Sequence, residues 1–147
     1  MKLFFLRHGE AGTASHDDVR ELTERGRHEV TQVVLAQQAA LAAVEQVLVS
    51  PIVRAQQTAQ LACVQANLSL PCRTVAWLIH ETPLSVTLAE LRQLDKPTLL
   101  VGHQPLAGAV VASLTGERVP IGTGHLVEME GDAFTPGFVK LIRHSQP

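Results

Sequence analysis

The sequence predicts an α/β layer fold, because short apolar segments typical of strands alternate with amphipathic segments typical of helices. Apolar residues make up 46% of the 147 residues and charged residues 18%, a balance that lets a chain of this length bury a core. Neither a repeat nor a linker-like tract interrupts the alternation. We therefore expect a single domain over residues 1–147.

Two strands and two helices are predicted in the first half of the chain. Thr23 suits the N-cap of the first helix, in which apolar residues recur every three, four or seven positions. Ser50 and Pro51 suit the N-cap and the first position of the second helix. In order, the predicted elements are a buried strand over residues 2–6, a polar loop over 9–20, a helix over 23–44, a strand over 46–49 and a helix from 50 to about 66.

The second half continues the alternation and ends in a pair of strands. Pro97 and Gly102 delimit a short core strand, and Gly131 with Pro136-Gly137 marks the connection between the last two strands. The predicted elements are a weaker strand over residues 71–78, a short helix over 86–94, a core strand over 98–101, a helix over 105–114 and an antiparallel pair over 126–129 and 138–142.

Composition excludes several classes of function. The formal net charge is -2 and the aromatic residues are four Phe, one Trp and no Tyr, so no surface for nucleic acid is expected. The apolar runs are too short to cross a bilayer, and the run at residues 3–6 is too short for a signal peptide. We expect a cytoplasmic protein without membrane contact, in which Cys63 and Cys72 are reduced thiols with packing roles.

Polar residues suited to chemistry follow three of the predicted strands. Arg7 and His8 follow the first strand, Arg54 comes shortly after the second, and His103 follows the strand over residues 98–101. In open parallel sheets, ligands bind outside the carboxyl ends of the strands. These three strand ends are therefore expected to bring two arginines and two histidines to one crevice.

This set of side chains suits phosphoryl transfer. Guanidinium groups match phosphoryl oxygens, and each charge-assisted hydrogen bond contributes about 1.5–3 kcal/mol. A neutral imidazole can attack phosphorus, and a second imidazole can bond an oxygen on which charge develops. The expected intermediate is a phosphohistidine that water hydrolyses in a second step. Adjacent strand residues face opposite sides, so Arg7 and His8 share the site only if the chain turns, which the conformational freedom of Gly9 permits.

Four motifs together resemble the histidine phosphatase (phosphoglycerate-mutase-like) superfamily. They are LRHGEA at residues 6–11, Leu22-Thr23-x-x-Gly26, SPIVRAQQTA at residues 50–59 and VGH at residues 101–103. The short chain and the form of these motifs most resemble the SixA-type phosphohistidine phosphatases, and the resemblance fades toward the C-terminus. It implies an α/β three-layer sandwich with a mostly parallel central sheet, an antiparallel edge and helices on both faces.

The resemblance also implies roles for individual residues. His8 is the implied nucleophile. The implied phosphate-binding group consists of Arg7, His8, Arg54 and His103. His103 is also implied to be a catalytic residue. The family uses no metal, and no cofactor is expected. Members that act on small phosphate esters carry an acidic proton donor after the second helix, beneath an insertion that roofs the site. Here the nearest acid is Glu81, which either donates that proton as a catalytic residue or caps the helix that follows.

Removal of phosphate from a phosphohistidine-bearing protein, such as a phosphotransfer domain, is the function that the resemblance implies, with inorganic phosphate as product. Residues 67–96 leave little length for a lid, and an imidazole leaving group needs less help from an acid than an alkoxide. A small-molecule phosphomonoesterase or mutase of the same superfamily is the alternative, and a non-catalytic phosphoprotein-binding module is a further one. Surface or core roles are expected for the histidines that match no motif: His16, His28, His80, His125 and His144.

Overall fold

A six-stranded sheet forms the centre of the protein in a computed structural model that describes residues 1–147. Its strands are β1 (Lys2–Arg7), β2 (Gln46–Val49), β3 (Cys72–Thr74), β4 (Thr98–Gly102), β5 (Leu126–Glu130) and β6 (Lys140–Ser145). Their spatial order is β3-β2-β4-β1-β5-β6. The first four strands of this order are parallel, whereas β5 runs antiparallel to β1, and β6 runs antiparallel to β5.

Five α-helices cover the two faces of this sheet. They are α1 (Glu24–Ala36), α2 (Gln38–Leu41), α3 (Val53–Gln65), α4 (Leu84–Arg92) and α5 (Leu106–Thr115). Single turns of 3₁₀ helix occupy Asp17–Val19 and Ala76–Leu78 in the connections. None of the helices combines the length and the apolar character that crossing a membrane requires.

The side chains of β1 show how the three layers are built. Leu3 and Phe5 lie in a core with residues of α4 and α5, whereas Phe4 and Leu6 lie in a second core with residues of α1 and α3. Successive strand residues face opposite sides, so a sheet covered on both faces needs a continuous apolar run. The predicted α/β three-layer sandwich, with a mostly parallel sheet and antiparallel pairing at one edge, is confirmed.

Three neighbouring strands end side by side in the middle of the sheet. β1 and β2 both pair in parallel with β4, so that Arg7 lies opposite Gly102. The hydrogen bonds continue one residue beyond each strand, from His8 N to Gly102 O at 3.0 Å and from Ser50 N to Val101 O at 3.1 Å. The segments that follow β1, β2 and β4 are therefore neighbours in space.

The helix expected over residues 23–44 is wrong as a single element. α1 ends at Ala36, and the short α2 follows after Gln37. Gln37 leaves the helical region, with φ -111° and ψ 18°. The N-cap prediction is confirmed, because Thr23 Oγ1 accepts a hydrogen bond from Gly26 N at 3.0 Å.

The second predicted helix begins at Val53, not at the Ser50-Pro51 pair, and Ile52 is its N-cap. The reason is that the Ser50 hydroxyl has another partner. Ser50 Oγ lies 2.8 Å from His103 Nε2 and accepts only a long bond of 3.3 Å from Ile52 N. Ser50 thus holds a candidate site residue instead of capping a helix.

Two strand predictions have the wrong bounds. The strand expected over residues 71–78 is reduced to β3, because its partner β2 ends at Val49, opposite Thr74. The last strand is Lys140–Ser145 rather than residues 138–142, because β6 pairs along the whole of β5. Phe138 lies before it, with 78% of its surface exposed.

The two cysteines are free thiols that lie side by side. Cys63 of α3 and Cys72 of β3 have Sγ atoms 3.6 Å apart. Burial raises the pKa of Cys63 to about 12, which keeps that thiol protonated and unreactive. This arrangement agrees with the predicted packing role.

Candidate active site

The imidazole of His8 is buried and held in one tautomer. Its Nδ1 lies 2.7 Å from the carbonyl oxygen of Gly9. A carbonyl oxygen only accepts, so Nδ1 carries the proton and the lone pair is on Nε2. Burial lowers the pKa of His8 to about 4, and the charges of Arg54 and Arg7 act in the same direction. At neutral pH the ring is therefore uncharged, the state that a nucleophilic imidazole requires.

Arg54 of α3 faces this lone pair. Its Nε donates to His8 Nε2 at 3.3 Å, and its Nη1 and Nη2 donate to the backbone oxygen and the carboxylate of Asp17 at 2.9 and 3.1 Å. Arg54 is the second residue of α3, so it lies at a helix N-terminus that itself favours an anion. The structure thus brings together His8 and Arg54, as the sequence predicted.

Arg7 reaches the end of β1 from the other face of the sheet. Its Nη1 donates to Ile121 O at 3.0 Å, and Ile121 belongs to the core beneath α5. Burial lowers the pKa of Arg7, and the charge of Arg54 lowers it further. Arg7 and His8 therefore flank one strand end from opposite sides, and the charge of Arg7 still contributes to lowering the pKa of His8.

Gly9 is required by close packing, and the expectation that its conformational freedom matters is wrong. Its φ lies outside the left-handed region. A Cβ on Gly9 would lie 2.5 Å from Gly26 O, and a Cβ on Gly26 would lie 2.1 Å from Glu10 O. Gly9 N also donates to Thr58 Oγ1 at 3.2 Å. The segment after β1 is thus fixed between α1 and α3.

Gly26→Ala is expected to lower the free energy of unfolding by about 3 kcal/mol, because the added methyl group meets backbone atoms that cannot rotate away. Urea denaturation measures this loss. Gly12→Ala is the matched control, since a Cβ there would meet nothing closer than 3.7 Å. Equal stability of the two variants would show that the contact between α1 and the segment after β1 is loose.

His103 lies beside His8 at the end of β4. The two ring centroids are 5.1 Å apart. His103 Nε2 meets the Ser50 hydroxyl, and its Nδ1 is buried without a partner. Burial lowers the pKa of His103 to about 3, and the charges of His8 and Arg54 contribute in the same direction. Two neutral imidazoles therefore stand beside two guanidinium groups.

Glu81 lies outside this cluster, whereas its neighbour His80 packs against it. The Glu81 side chain is 82% exposed, and its Oε1 lies 3.3 Å from His80 Nε2. The His80 ring meets the ring of His103 edge-on, with centroids 5.3 Å apart. The catalytic role expected for Glu81 stays a prediction. His80, for which no site role was expected, lies at the edge of the site.

The unpaired polar atoms of this cluster can donate to a bound anion wherever they carry a proton. Four buried side-chain polar atoms have no hydrogen-bond partner, and three of them belong here: Arg7 Nε, His80 Nδ1 and His103 Nδ1. An unpaired buried polar group costs about 1–3 kcal/mol. A tetrahedral oxyanion offers several acceptors to arginine and imidazole donors at once. No group of three or more His, Cys, Asp or Glu side chains is arranged to hold a metal ion.

Comparison with known proteins identifies the family. Residues 3–79 match the family model of the histidine phosphatase superfamily (branch 1). The chain belongs to this superfamily. The matched segment of this histidine phosphatase includes Arg7, His8 and Arg54, and it ends before His103.

Two curated relatives of this histidine phosphatase indicate a narrower group within the superfamily. The chain is 33% identical to the phosphohistidine phosphatase SixA of Escherichia coli (strain K12) over 129 residues, which cover 84% of this chain and 80% of the relative. It is also 33% identical to the SixA homolog of Haemophilus influenzae over 141 residues, covering 82% and 81%. A solved structure of the protein histidine phosphatase SixA complexed with tungstate superposes with a TM-score of 0.91 at 29% identity, covering 100% of this chain and 97% of that chain.

Sequence reasoning missed Asp17, Ser50 and Thr58, which hold the site of this histidine phosphatase together. Hydrogen bonds from Arg20 and from Arg54 lower the pKa of Asp17. Ser50 and Thr58 both lie in the SPIVRAQQTA motif, so the motif itself is the signal that could have found them. The polar loop before α1 carries no pattern that marks Asp17.

Acidification from pH 7 to pH 5 is expected to destabilise this histidine phosphatase by roughly 2 kcal/mol for each of His8 and His103. Unfolded histidine titrates near 6.5, whereas the folded pKa values are about 4 and about 3. Between these values the unfolded chain binds more protons, so stability is lost as the pH falls. Urea denaturation at both pH values measures the change. The double variant His8→Asn/His103→Asn should lose less stability, and an equal loss would contradict the buried, neutral state of these rings.

Proposed function

We propose that this protein is a phosphohistidine phosphatase that transfers the phosphoryl group of a phosphorylated protein to Nε2 of its own His8. The observation that carries the proposal is the state of this ring. His8 is buried and neutral, its Nδ1 proton is held by Gly9, and its Nε2 lone pair meets the Nε of Arg54. Such an imidazole attacks phosphorus without first losing a proton.

The first step forms a bond between His8 Nε2 and phosphorus while the bond from phosphorus to the substrate nitrogen breaks, and the substrate imidazole, protonated on its other nitrogen from solvent, leaves as a neutral ring. The Gly9 carbonyl stabilises the positive charge that develops on the ring, because it already accepts the Nδ1 proton. Arg54 and Arg7 supply hydrogen bonds to the non-bridging oxygens, and His103 lies beside them to donate another. Water then attacks phosphorus, returns the electron pair to Nε2 and releases inorganic phosphate.

A protein-borne substrate fits the shape of this region. The segment between α3 and β4 holds only β3, one 3₁₀ turn and α4, and it adds no insertion over the site. Only the phosphoryl group and the side chain that carries it need to enter. Two relatives named for phosphohistidine phosphatase activity support the same class, and tungstate, bound by a related SixA, is a tetrahedral oxyanion like phosphate.

Rapid-quench mixing with a phosphorylated histidine phosphotransfer domain tests this function. We expect acid-labile, base-stable phosphate on His8, located by mass spectrometry, followed by release of inorganic phosphate. Sugar phosphates serve as the comparison substrates. Fast turnover of these esters with slow turnover of the phosphoprotein would favour a small-molecule phosphomonoesterase. Tight binding of the phosphoprotein without any turnover would favour a non-catalytic binding module.

Chelation is expected to leave phosphatase activity unchanged, because the arginines supply the positive charge on which the proposed mechanism depends. The measurement is the rate of phosphate release after dialysis against a chelator. A large loss of activity that a divalent ion restores would contradict the mechanism.

A further inference from the structure

We infer that Asp17 is a positioning residue for the proposed reaction: it holds the two terminal nitrogens of Arg54, so that another edge of the guanidinium group faces the phosphoryl group on His8. This inference rests on the function proposed above and adds to it a residue that lies in none of the family motifs. Asp17 acts through Arg54, and its bonds stay in place while the phosphoryl group is bound.

The contacts of Arg54 assign separate tasks to two edges of its guanidinium group. Nη1 donates to the backbone oxygen of Asp17 at 2.9 Å and Nη2 donates to its carboxylate at 3.1 Å, so one residue occupies the edge formed by the terminal nitrogens. The N–H bonds of a guanidinium group lie in one plane, and that of Nε points to the same side as one N–H of Nη2. Nε meets the lone pair of His8 Nε2 at 3.3 Å. The edge formed by Nε and Nη2, here called the Nε edge, therefore faces the nucleophile.

The Nε edge suits the phosphoryl group that His8 would carry. A phosphorus atom bonded to His8 Nε2 takes the position at which the lone pair now meets Arg54 Nε. Its non-bridging oxygens then lie in front of the Nε edge, where parallel N–H donors can bind them side by side. Asp17 occupies the other edge, so both sets of bonds can exist at once.

Asp17 is itself anchored to the segment after β1. Its second carboxylate oxygen accepts a hydrogen bond from Arg20 Nη1 at 3.0 Å, and Arg20 also donates to the backbone oxygens of Gly12 and Ala11 at 2.6 and 3.2 Å. Hydrogen bonds from Arg20 and from Arg54 lower the pKa of Asp17, so the carboxylate is charged at neutral pH. These contacts fix the carboxylate relative to the strand end that carries the nucleophile.

The exposure of the two partners indicates that Asp17 contributes orientation and little stability. The side chain of Asp17 is 50% exposed, whereas that of Arg54 is 7% exposed. An ion pair with one partner in water contributes little to the stability of a fold. Removing the carboxylate should therefore leave the protein folded and leave Nη2 without its acceptor. The guanidinium group can then turn about its remaining bond to the backbone.

The charge of Asp17 by itself predicts the opposite effect on activity. A carboxylate beside an anion site repels the anion, and a carboxylate that competed with the phosphoryl group for Arg54 would inhibit the reaction. On either account, a variant without the carboxylate would react faster than the parent. Loss of positioning makes the variant slower, so the direction of the change separates these roles.

Rapid-quench phosphorylation of His8 by a saturating phosphorylated histidine phosphotransfer domain tests the assignment. Asp17→Ala should slow this step about tenfold or more, with the parent's stability in urea. Asp17→Asn keeps an oxygen that can accept from Nη2, so it should lose less. Asp18→Ala is the matched control, because it removes an exposed carboxylate from the same 3₁₀ turn, and it should keep the parent's rate.

A double-mutant cycle with Arg54→Ala provides a measurement that a purely structural role would not change. In that background Asp17→Ala should cost no further activity, because no guanidinium group is left to orient. Equal losses in both backgrounds would make Asp17 a structural residue of its loop. A faster Asp17→Ala would make it an inhibitory contact, and an unchanged rate would leave it without a role; each result overturns the inference. Failure of the parent protein to form phosphate on His8 would instead reject the proposed function.

Discussion

Replacing His8 with asparagine is expected to lower kcat/KM for a phosphohistidine protein by about 10⁴-fold or more. Asparagine still donates a hydrogen bond to the carbonyl of Gly9, as His8 Nδ1 does at 2.7 Å, but it has no lone pair where Nε2 stands. The variant therefore keeps the fold of the segment after β1 and loses only the nucleophile. No phosphate should be recovered on the protein after rapid quench.

The control for this prediction is His28→Asn, which changes an exposed histidine on α1. It should keep the parent's rate, and both variants should keep the parent's circular dichroism. If His8→Asn released phosphate at the parent's rate, the phosphate would have to pass directly to water, and the covalent mechanism would be excluded.

Replacing Arg54 with alanine is expected to lower kcat/KM by about 10²- to 10⁴-fold, on the order of two charge-assisted hydrogen bonds to the phosphoryl group. Arg54 is only 6% exposed, and its three nitrogens all make contacts, one with His8 and two with Asp17. A phosphoryl group that binds here must share or displace the bonds to Asp17. The planar guanidinium group, with its several N–H donors, allows one side chain to contact both the nucleophile and the phosphoryl oxygens.

Arg54→Lys tests the role of this planar guanidinium group. An ammonium group retains the charge but cannot meet two oxygens in one plane, so it should recover no more than about tenfold of the lost activity. Arg27→Lys, on the exposed surface of α1, is the matched control and should have no effect. Full activity of Arg54→Lys would show that charge alone suffices.

Predictions made along the chain succeeded where one local pattern decides the structure. The apolar run of β1, the N-cap at Thr23 and the Gly102-His103 strand end each depend on a few adjacent residues. Element bounds failed where a distant partner decides them. β3 stops where β2 stops, and β6 extends as far as β5 offers hydrogen bonds.

In the site, too, local patterns were predictable and contacts between distant residues were not. Arg7, His8, Arg54 and His103 could be selected because each follows a strand of the predicted parallel sheet, and the order β2-β4-β1 then brings those strand ends together. His80 and Glu81 could not be ranked in this way. They are adjacent in a loop, and only the packing of that loop turns His80 toward His103 and Glu81 toward solvent.

By itself, the sequence determined the class of fold and the four candidate residues at strand ends, because strand periodicity and strand-end chemistry are local properties, and its motifs resembled one superfamily. The tertiary structure decided the ionisation of the site and its supporting contacts. Burial and the neighbouring charges make His8 and His103 neutral, and contacts across the molecule assign Ser50 to His103, Thr58 to Gly9 and Asp17 to Arg54. These properties depend on which groups come into contact after folding, and the spacing of residues along the chain does not predict those contacts.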